Sequence, residues 1–300
     1  MRSGFVAVAG RPNVGKSTLV NALVGAKVAV VSDKSQTTRR AIRGVVNGER
    51  DGEPFQLVLV DLPGVQHPRD ALTERMQRRV DRELADCDGA LFVLNGAERS
   101  AGGDRFIARA LAASGVPVVA AVNKVDLLDR ARTAEALTTA AAYENAGVRL
   151  RAVFPVSARR GTGIDPLRGE LAALLPEGPA YFPQGAVTDL SREIALAELI
   201  REQALRRTRQ EVPHSVEVQV EEITDRDDLT VVRAVIWVET DSQKGILIGA
   251  GGEMIRSIGT AARRQIEREL GRRVHLDLTV KVRPAWRRDE ALLDRLGIEP

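Results

Sequence analysis

The stretch "GFVAVAGRPNVGKSTLVNALVG", residues 4–25, narrows the fold more than any other part of the chain. A β-type apolar run ends at Gly10. From there Gly10-Arg11-Pro12-Asn13-Val14-Gly15-Lys16-Ser17 fits G-x-x-x-x-G-K-S, and a helical pattern continues from Thr18. Glycines let such a loop curl until its N–H groups converge on phosphate oxygens. The N-terminus of the following helix adds partial positive charge. Lys16 is then placed to reach the β- and γ-phosphates, and Ser17 to offer a hydroxyl to Mg²⁺.

A loop of this kind needs a sheet behind it, and the next residues supply one. "FQLVLVDLPG", "ALFVLNG", "VPVVAAVNK" and "LRAVFPVSA" are continuous apolar runs, as expected of strands buried on both faces of a parallel sheet. Helical segments such as "ALTERMQRRVDRELAD" and "TAEALTTAAAYENAG" lie between them. The alternation predicts a doubly wound α/β domain over residues 1–176. Residues 177–190 are rich in proline and glycine and read as a linker. Residues 191–300 change order. An amphipathic helix is followed by the alternating strand "SVEVQVEEI" and a second strand, "LTVVRAVIWVET". An apolar run, a glycine cluster, a helix through about Leu270, the strand "RVHLDLTVKV" and a short terminal helix complete the chain. This order, α-β-β-α-β, predicts a smaller α+β domain.

The ends of the apolar runs carry the chemistry. In "NKVD", Asn123, Lys124 and Asp126 follow a strand, at the carboxyl edge where such sheets bind ligands. A carboxylate at Asp126 accepts from both N1–H and N2–H₂ of guanine; adenine offers neither donor and would leave the carboxylate unpaired. Asn123 holds the loop. "SAR", Ser157 to Arg159, brings the backbone N–H of Ala158 toward guanine O6. In "DLPG", Asp61 is assigned to Mg²⁺ through a water, and Gly64 to a close approach of its N–H to the γ-phosphate. "SQTTRR" offers Thr37 and Thr38, and Thr38 is assigned to the Mg²⁺ shell. The candidate nucleotide site is therefore Gly10 through Thr18, Asp61, Gly64, Asn123, Lys124, Asp126, Ser157, Ala158 and Arg159, with Ser17, Thr38 and Asp61 as metal ligands.

Composition limits the alternatives. The net charge of +3 makes any nucleic-acid surface local. Between Met254 and Arg288 there are ten Lys or Arg against three acids, enough to make such a surface there. One cysteine, Cys87, permits no intramolecular disulfide, which suits a reducing cytoplasm. Its place before an apolar run predicts a buried thiol. No apolar run reaches membrane-spanning length. His67, His214 and His275 show no ligand spacing. Trp237 is expected in the core, and Trp286 is left open between packing and RNA contact. A monomer is expected.

The order G-x-x-x-x-G-K-S, Thr, D-x-P-G, N-K-x-D, S-A resembles that of translation-factor-related GTPases. "IGAGG", Ile248 to Gly252, fits the I-G-x-x-G loop of a KH domain, and the surrounding elements fit the type II arrangement. Together the two halves resemble the Era family of bacterial GTPases. The resemblance implies a P-loop GTPase domain followed by an RNA-binding KH domain. It also implies GTP and GDP as ligands, the 16S ribosomal RNA 3′ region and the 30S subunit as partners, and a role in assembly of that subunit. The candidate RNA contacts are Ile248, Gly249, Ala250, Gly251, Gly252, Arg256, Arg263 and Arg287. The family's loop commonly carries lysine where this chain has Ala250.

Lys16, Thr38, Gly64 and Asn13 are the candidate catalytic groups. Ras-type GTPases place a water-orienting glutamine just after the D-x-x-G glycine; that place is Val65 here, so slow intrinsic turnover is expected. In GTPases this chain resembles, an asparagine at the place of Asn13 helps hold K⁺. A second reading stays open, in which the C-terminal domain docks a protein or the anionic inner face of the cell membrane.

Overall fold

The computed structural model describes residues 1–31, 42–62, 78, 82–98, 102–208 and 215–296. Six strands form the first sheet: β1 (Arg2–Ala9), β2 (Ile42–Arg50), β3 (Glu53–Asp61), β4 (Gly89–Asn95), β5 (Val118–Asn123) and β6 (Leu150–Pro155). Their order is β2-β3-β1-β4-β5-β6. β1 pairs parallel with β3 on one side and with β4 on the other. The chain thus winds outward in both directions from β1, and its carboxyl edge is the natural ligand crevice.

Among the described residues the α-helices of this domain with both ends defined are α1 (Lys16–Val24), α2 (Gly102–Ser114), α3 (Arg130–Ala141) and α4 (Ile164–Ala173). On one sheet face Val6, Val8, Leu57, Leu59 and Leu91 pack against Leu19 and Leu23 of α1 and Leu167 and Leu171 of α4. On the other, Ala7, Val60, Phe92 and Val122 pack against Ile107 and Leu111 of α2. Cys87 lies in this second cluster, and burial pushes its thiol up to about 12. The thiol is buried, as expected.

The sheet departs from the all-parallel expectation at one edge. β2 is antiparallel to β3, joined through Asp51 (φ 53°) and Gly52 (φ 83°). Two positive φ values in a two-residue loop make the tight hairpin turn that Asp-Gly favours.

The expected linker is strapped to this sheet. Gln56 of β3, 1% exposed, accepts from the backbone N–H groups of Tyr181 (2.7 Å) and Phe182 (2.9 Å). Its amide donates to Phe182 O and to Asn47 Oδ1, both at 2.9 Å. The Ser3 hydroxyl donates to Pro179 O, Val45 N–H donates to Val187 O at 2.9 Å, and Tyr181 meets Phe5 edge-on. A Pro/Gly-rich sequence sits still here because its backbone polar groups are paired.

The second sheet comprises β7 (Glu217–Arg226), β8 (Leu229–Val238) and β9 (Arg273–Val282), with β7-β8 antiparallel and β8-β9 parallel. Helices α5 (Arg192–Arg207) and α7 (Glu253–Leu270) cover one face. Leu196, Ile200 and Ala204 of α5 and Ile258, Ala262 and Ile266 of α7 pack on Val232, Ala234 and Ile236 of β8. An additional helix, α6 (Asp241–Ile248), stands before α7, so the order is α-β-β-α-α-β rather than α-β-β-α-β. Thr240 and Gln243 start α6 with a reciprocal capping box.

Trp237 is not in this core. The even-numbered residues of β8 face the helices, which puts Trp237 on the opposite face, half-buried. Its indole N–H donates to Gln219 Oε1 at 3.2 Å, and Lys281 Nζ lies 5.8 Å from the ring centroid. Trp286 is fully buried with Leu292, Leu293 and Leu296, and donates to Ser215 O at 2.9 Å, which resolves its role as packing. Leu292 and Leu293 belong to the short terminal helix α8 (Glu290–Arg295).

The two domains meet at Glu202 of α5. Its fully buried carboxylate takes Lys27 of the first domain and Arg206 of its own helix, each at 2.6 Å. Arg206 also reaches Val31 O at 3.4 Å.

Candidate functional site

The glycine loop leaves β1 and enters α1 in the crevice beside β3 and β4. Its glycines are needed for close approach. A Cβ on Gly10 would lie 2.6 Å from Val93 O, and one on Gly15 (φ 97°) would lie 2.4 Å from Asn123 Nδ2. Lys16, 7% exposed, folds back and donates to the loop carbonyls of Gly10 (2.9 Å) and Arg11 (3.2 Å). Burial lowers its pKa to about 8, partly offset by the Asp61 carboxylate. The Ser17 hydroxyl donates to Asp61 Oδ2 at 2.7 Å. Asp61 is fully buried at the carboxyl end of β3.

A buried cation held only by neutral carbonyls, beside a hydroxyl and a carboxylate, is chemically matched to phosphate with a hard divalent ion. Mg²⁺ prefers few protein oxygens and retains water and phosphate ligands, and the Ser17–Asp61 pair fits that demand. Among the described residues no group of three or more His, Cys, Asp or Glu forms an all-protein metal cage.

The base-side residues converge on the same loop. The Asn123 amide, 3% exposed, donates to Val14 O at 2.9 Å and accepts from Ala158 N–H at 3.0 Å. The Ala158 donor assigned to guanine O6 is therefore engaged by Asn123 in this structure. Lys124 (φ 67°) donates to Asn13 O at 2.8 Å, tying the N-K-x-D segment to the glycine loop. Asn13 itself is exposed with φ 64°. The Ser157 hydroxyl donates to Asp126 Oδ1 at 2.7 Å and, as the largest cause, holds that carboxyl below its ordinary range. Asp126 is thus an anion, as a partner for two guanine donors must be. Arg159 is exposed beside it; Pro12 and Thr18 are half-buried at the loop and Val14 is buried beneath it.

Arg11 points elsewhere. Its Nε donates to the buried Asp104 of α2 at 2.8 Å, and a terminal nitrogen meets Glu98 at 3.3 Å. Asp104, which sequence reasoning passed over, anchors the loop to α2; nothing in its local pattern marks it. Thr37, Thr38, Gly64, Val65, His67 and His214 lie outside the described residues.

The second loop joins α6 to α7. Ile248 ends α6, Ala250 is exposed, and Gly249, Gly251 and Gly252 all have positive φ (71°, 56° and 79°). A Cβ on Gly249 would lie 3.0 Å from Met254 N, so glycine is needed there for the loop to close onto the start of α7, whereas a Cβ on Gly251 would meet nothing within 4 Å, so the loop backbone is open at that position. Arg256 is exposed one turn beyond and forms no ion pair with another described residue. Arg263 pairs with Glu267 at 3.6 Å, and Arg287 pairs with Glu239 at 3.1 Å. Lys281 and Arg273 are paired too, with Glu221 and Asp228. The structure therefore brings Arg256 to the loop and shows Arg263 and Arg287 partly neutralised by acids.

Comparison with known proteins covers both halves. The family described as a 50S ribosome-binding GTPase matches residues 5–124, and the KH domain family matches residues 211–287. GTPase Era of Mycolicibacterium paratuberculosis is 47% identical over 301 residues, covering 99% of this chain and 98% of that protein. GTPase Era of Mycobacterium tuberculosis H37Rv is 46% identical, with 98% of each covered. Two solved structures superpose over all of both chains with a TM-score of 0.93. One is a point variant of Aquifex aeolicus Era bound to GDP·AlF4⁻, at 34% identity. The other is Era in complex with MgGDPNP and nucleotides 1506–1542 of 16S ribosomal RNA, at 35% identity.

Proposed function

The chain belongs to the Era family of GTPases, and from that premise we propose that it is a GTP-hydrolysing switch that binds the 3′ region of 16S ribosomal RNA during assembly of the 30S subunit. The observation that carries the reading is the pairing, in one chain, of the Lys16, Ser17–Asp61 and Asp126 arrangement with an open three-glycine loop between α6 and α7. The backbone N–H groups of the first loop and the protonated Lys16 bind the phosphates of GTP. Asp126, held anionic by Ser157, pairs with guanine, and Asn123 keeps the base loops locked to the phosphate loop. Ser17 and Asp61 hold Mg²⁺, which when bound neutralises charge developing on the phosphates.

Thr38 would join the Mg²⁺ shell and Gly64 would meet the γ-phosphate only when that phosphate is present, which makes the GTP and GDP forms differ. Val65 offers no hydrogen bond to the attacking water, so hydrolysis is slow unless an ion or a partner assists. Asn13, exposed at the rim, is the group that would help hold K⁺. Turnover several-fold faster in KCl than in NaCl at equal ionic strength is the expected result; equal rates would remove that role.

In the second domain the loop from Ile248 to Gly252 receives the sugar-phosphate backbone of a single strand, with Arg256 beside it. The function sets the protein in the cytoplasm, and among the described residues no helix is long and apolar enough to cross a membrane. The deciding experiment compares a labelled oligonucleotide of the 16S 3′ sequence with a scrambled one, each with GDP and with a non-hydrolysable GTP analogue. Tight, sequence-dependent, nucleotide-dependent binding that Gly249→Asp with Gly252→Asp abolishes is expected. Equal, weak, salt-sensitive binding of both oligonucleotides would defeat the reading.

A further inference from the structure

A cavity of about 430 Å³ opens between the domains, away from both glycine loops. Lys27 of the first domain, Arg206 of α5, and Arg264 and Arg268 of α7 line it; among the described residues Glu269 is the one carboxylate in its wall. Lys27 and Arg206 share Glu202. Arg264 forms no ion pair with another described residue, and among the described residues Arg268 donates only to the Arg264 carbonyl, at 3.1 Å. Gln265, 9% exposed in the same wall, uses its carbonyl oxygen to accept from Gln203, which leaves its amide donors to the cavity. Counting Glu202, four cations face two carboxylates among the described residues, with neutral donors between them.

We propose that this junction cavity binds phosphate groups and is complete only when the two domains take this arrangement, because Lys27 comes from one domain and the arginines from the other. The phosphate belongs either to an RNA strand or to a free polyphosphate anion. Arg264 lies eleven residues along α7 from Glu253, about 17 Å from the three-glycine loop at the rise of an α-helix. An RNA strand held at that loop would have to extend beyond the clamped nucleotides to reach it. The RNA source rests on the proposed function; the anion source does not.

The test uses the full-length protein saturated with GDP, so that the first loop is filled. Tripolyphosphate binding is measured by calorimetry. RNA binding is measured with a four-nucleotide fragment of the 16S 3′ sequence and with a long oligonucleotide containing it. Arg264→Glu with Arg268→Glu is expected to weaken tripolyphosphate or the long RNA at least tenfold while sparing the short RNA. For RNA the salt slope should also fall, by about 0.7 for each lost phosphate contact on a single strand. Lys27→Ala should weaken the same ligand several-fold. Loss confined to tripolyphosphate identifies a free anion, and loss confined to the long RNA identifies a strand. If neither ligand responds, or if Lys27→Ala has no effect where the arginine variant does, the cross-domain site is overturned. Should the wild type bind no RNA, the proposed function fails, while the tripolyphosphate measurement still decides the cavity.

Discussion

Lys16 is a cation kept where cations are costly. Burial lowers its pKa to about 8, and the Asp61 carboxylate only partly restores it. Phosphate arriving at the loop favours the charged form, so nucleotide binding must raise this pKa again. The sign follows directly. Below the free-state value Lys16 is already protonated and binding takes up no proton from this group. Near pH 8 the free protein carries half the charge, and binding draws in about half a proton at this site. Calorimetry of GDP binding at about pH 8 in buffers of different ionisation enthalpy should show that uptake, and should show it vanish by about pH 6.5. Uptake that does not change between the two pH values would mean that Lys16 is not the group being titrated. Asp126 behaves oppositely. Its carboxyl is held below its ordinary range by Ser157, so it stays anionic as pH falls toward that range. Ser157→Ala removes that hydrogen bond and should weaken GDP binding several-fold, with the larger loss near about pH 4–5, where the freed carboxyl begins to protonate.

At the scale of elements, the strap over residues 177–190 shows what a side chain can impose on a loop. Gln56 uses both ends of its amide on Tyr181, Phe182 and Asn47 while almost fully buried. Gln56→Leu keeps the volume but leaves the Tyr181 and Phe182 N–H groups without that acceptor, at about 1–3 kcal/mol for each group that stays unsatisfied. Urea unfolding should register about 2–3 kcal/mol of lost stability. Limited proteolysis should cut within 177–190 much sooner. Unchanged stability and cleavage would show that backbone contacts alone hold the strap. The strap was not legible in sequence because its partner lies 125 residues away and Pro/Gly composition reports local freedom only. The β1, α1 and β3 elements were legible, since continuous apolar runs and a glycine loop leave few alternatives. β2 was missed although its signal was present: Asp51-Gly52 is a hairpin dipeptide, but "IRGVVNGER" does not alternate. α6 was missed because Gly245 interrupts its pattern, while Thr240 and Gln243, three apart, marked its start. At the nucleotide site the motif residues were readable and Asp104 was not, because a lone acid on a helix gains its meaning from Arg11 in space.

For the whole molecule, the question is what fixes one domain against the other. One carboxylate carries much of it. Glu202 is fully buried and binds a cation from each domain, and Arg206 continues to Val31 O, just before the segment that contains Thr37 and Thr38. On the other edge of that segment Arg43 of β2 pairs with Asp189 at 3.0 Å and with Glu83 at 3.3 Å, close to where Ser191 caps α5. The residues flanking the segment that would sense the γ-phosphate are thus tied to the root of the RNA-binding domain on both sides. Glu202→Ala removes the shared anion and leaves Lys27 and Arg206 facing each other, which turns attraction into repulsion. Glu202 lies on α5 facing Lys27 across the domain junction, so the variant's folding is checked by the far-UV circular dichroism of the purified protein. Distances between labels placed on α3 and α7 should broaden and lengthen in the variant, and thermal unfolding should separate into two transitions. RNA affinity should then lose its dependence on GDP against a GTP analogue, while GTP binding itself stays near the wild-type value. A variant that keeps a single distance population and a full nucleotide response would show that the strap and Arg43–Asp189 suffice. Combining Glu202→Ala with Arg43→Ala would then be the change that uncouples the domains.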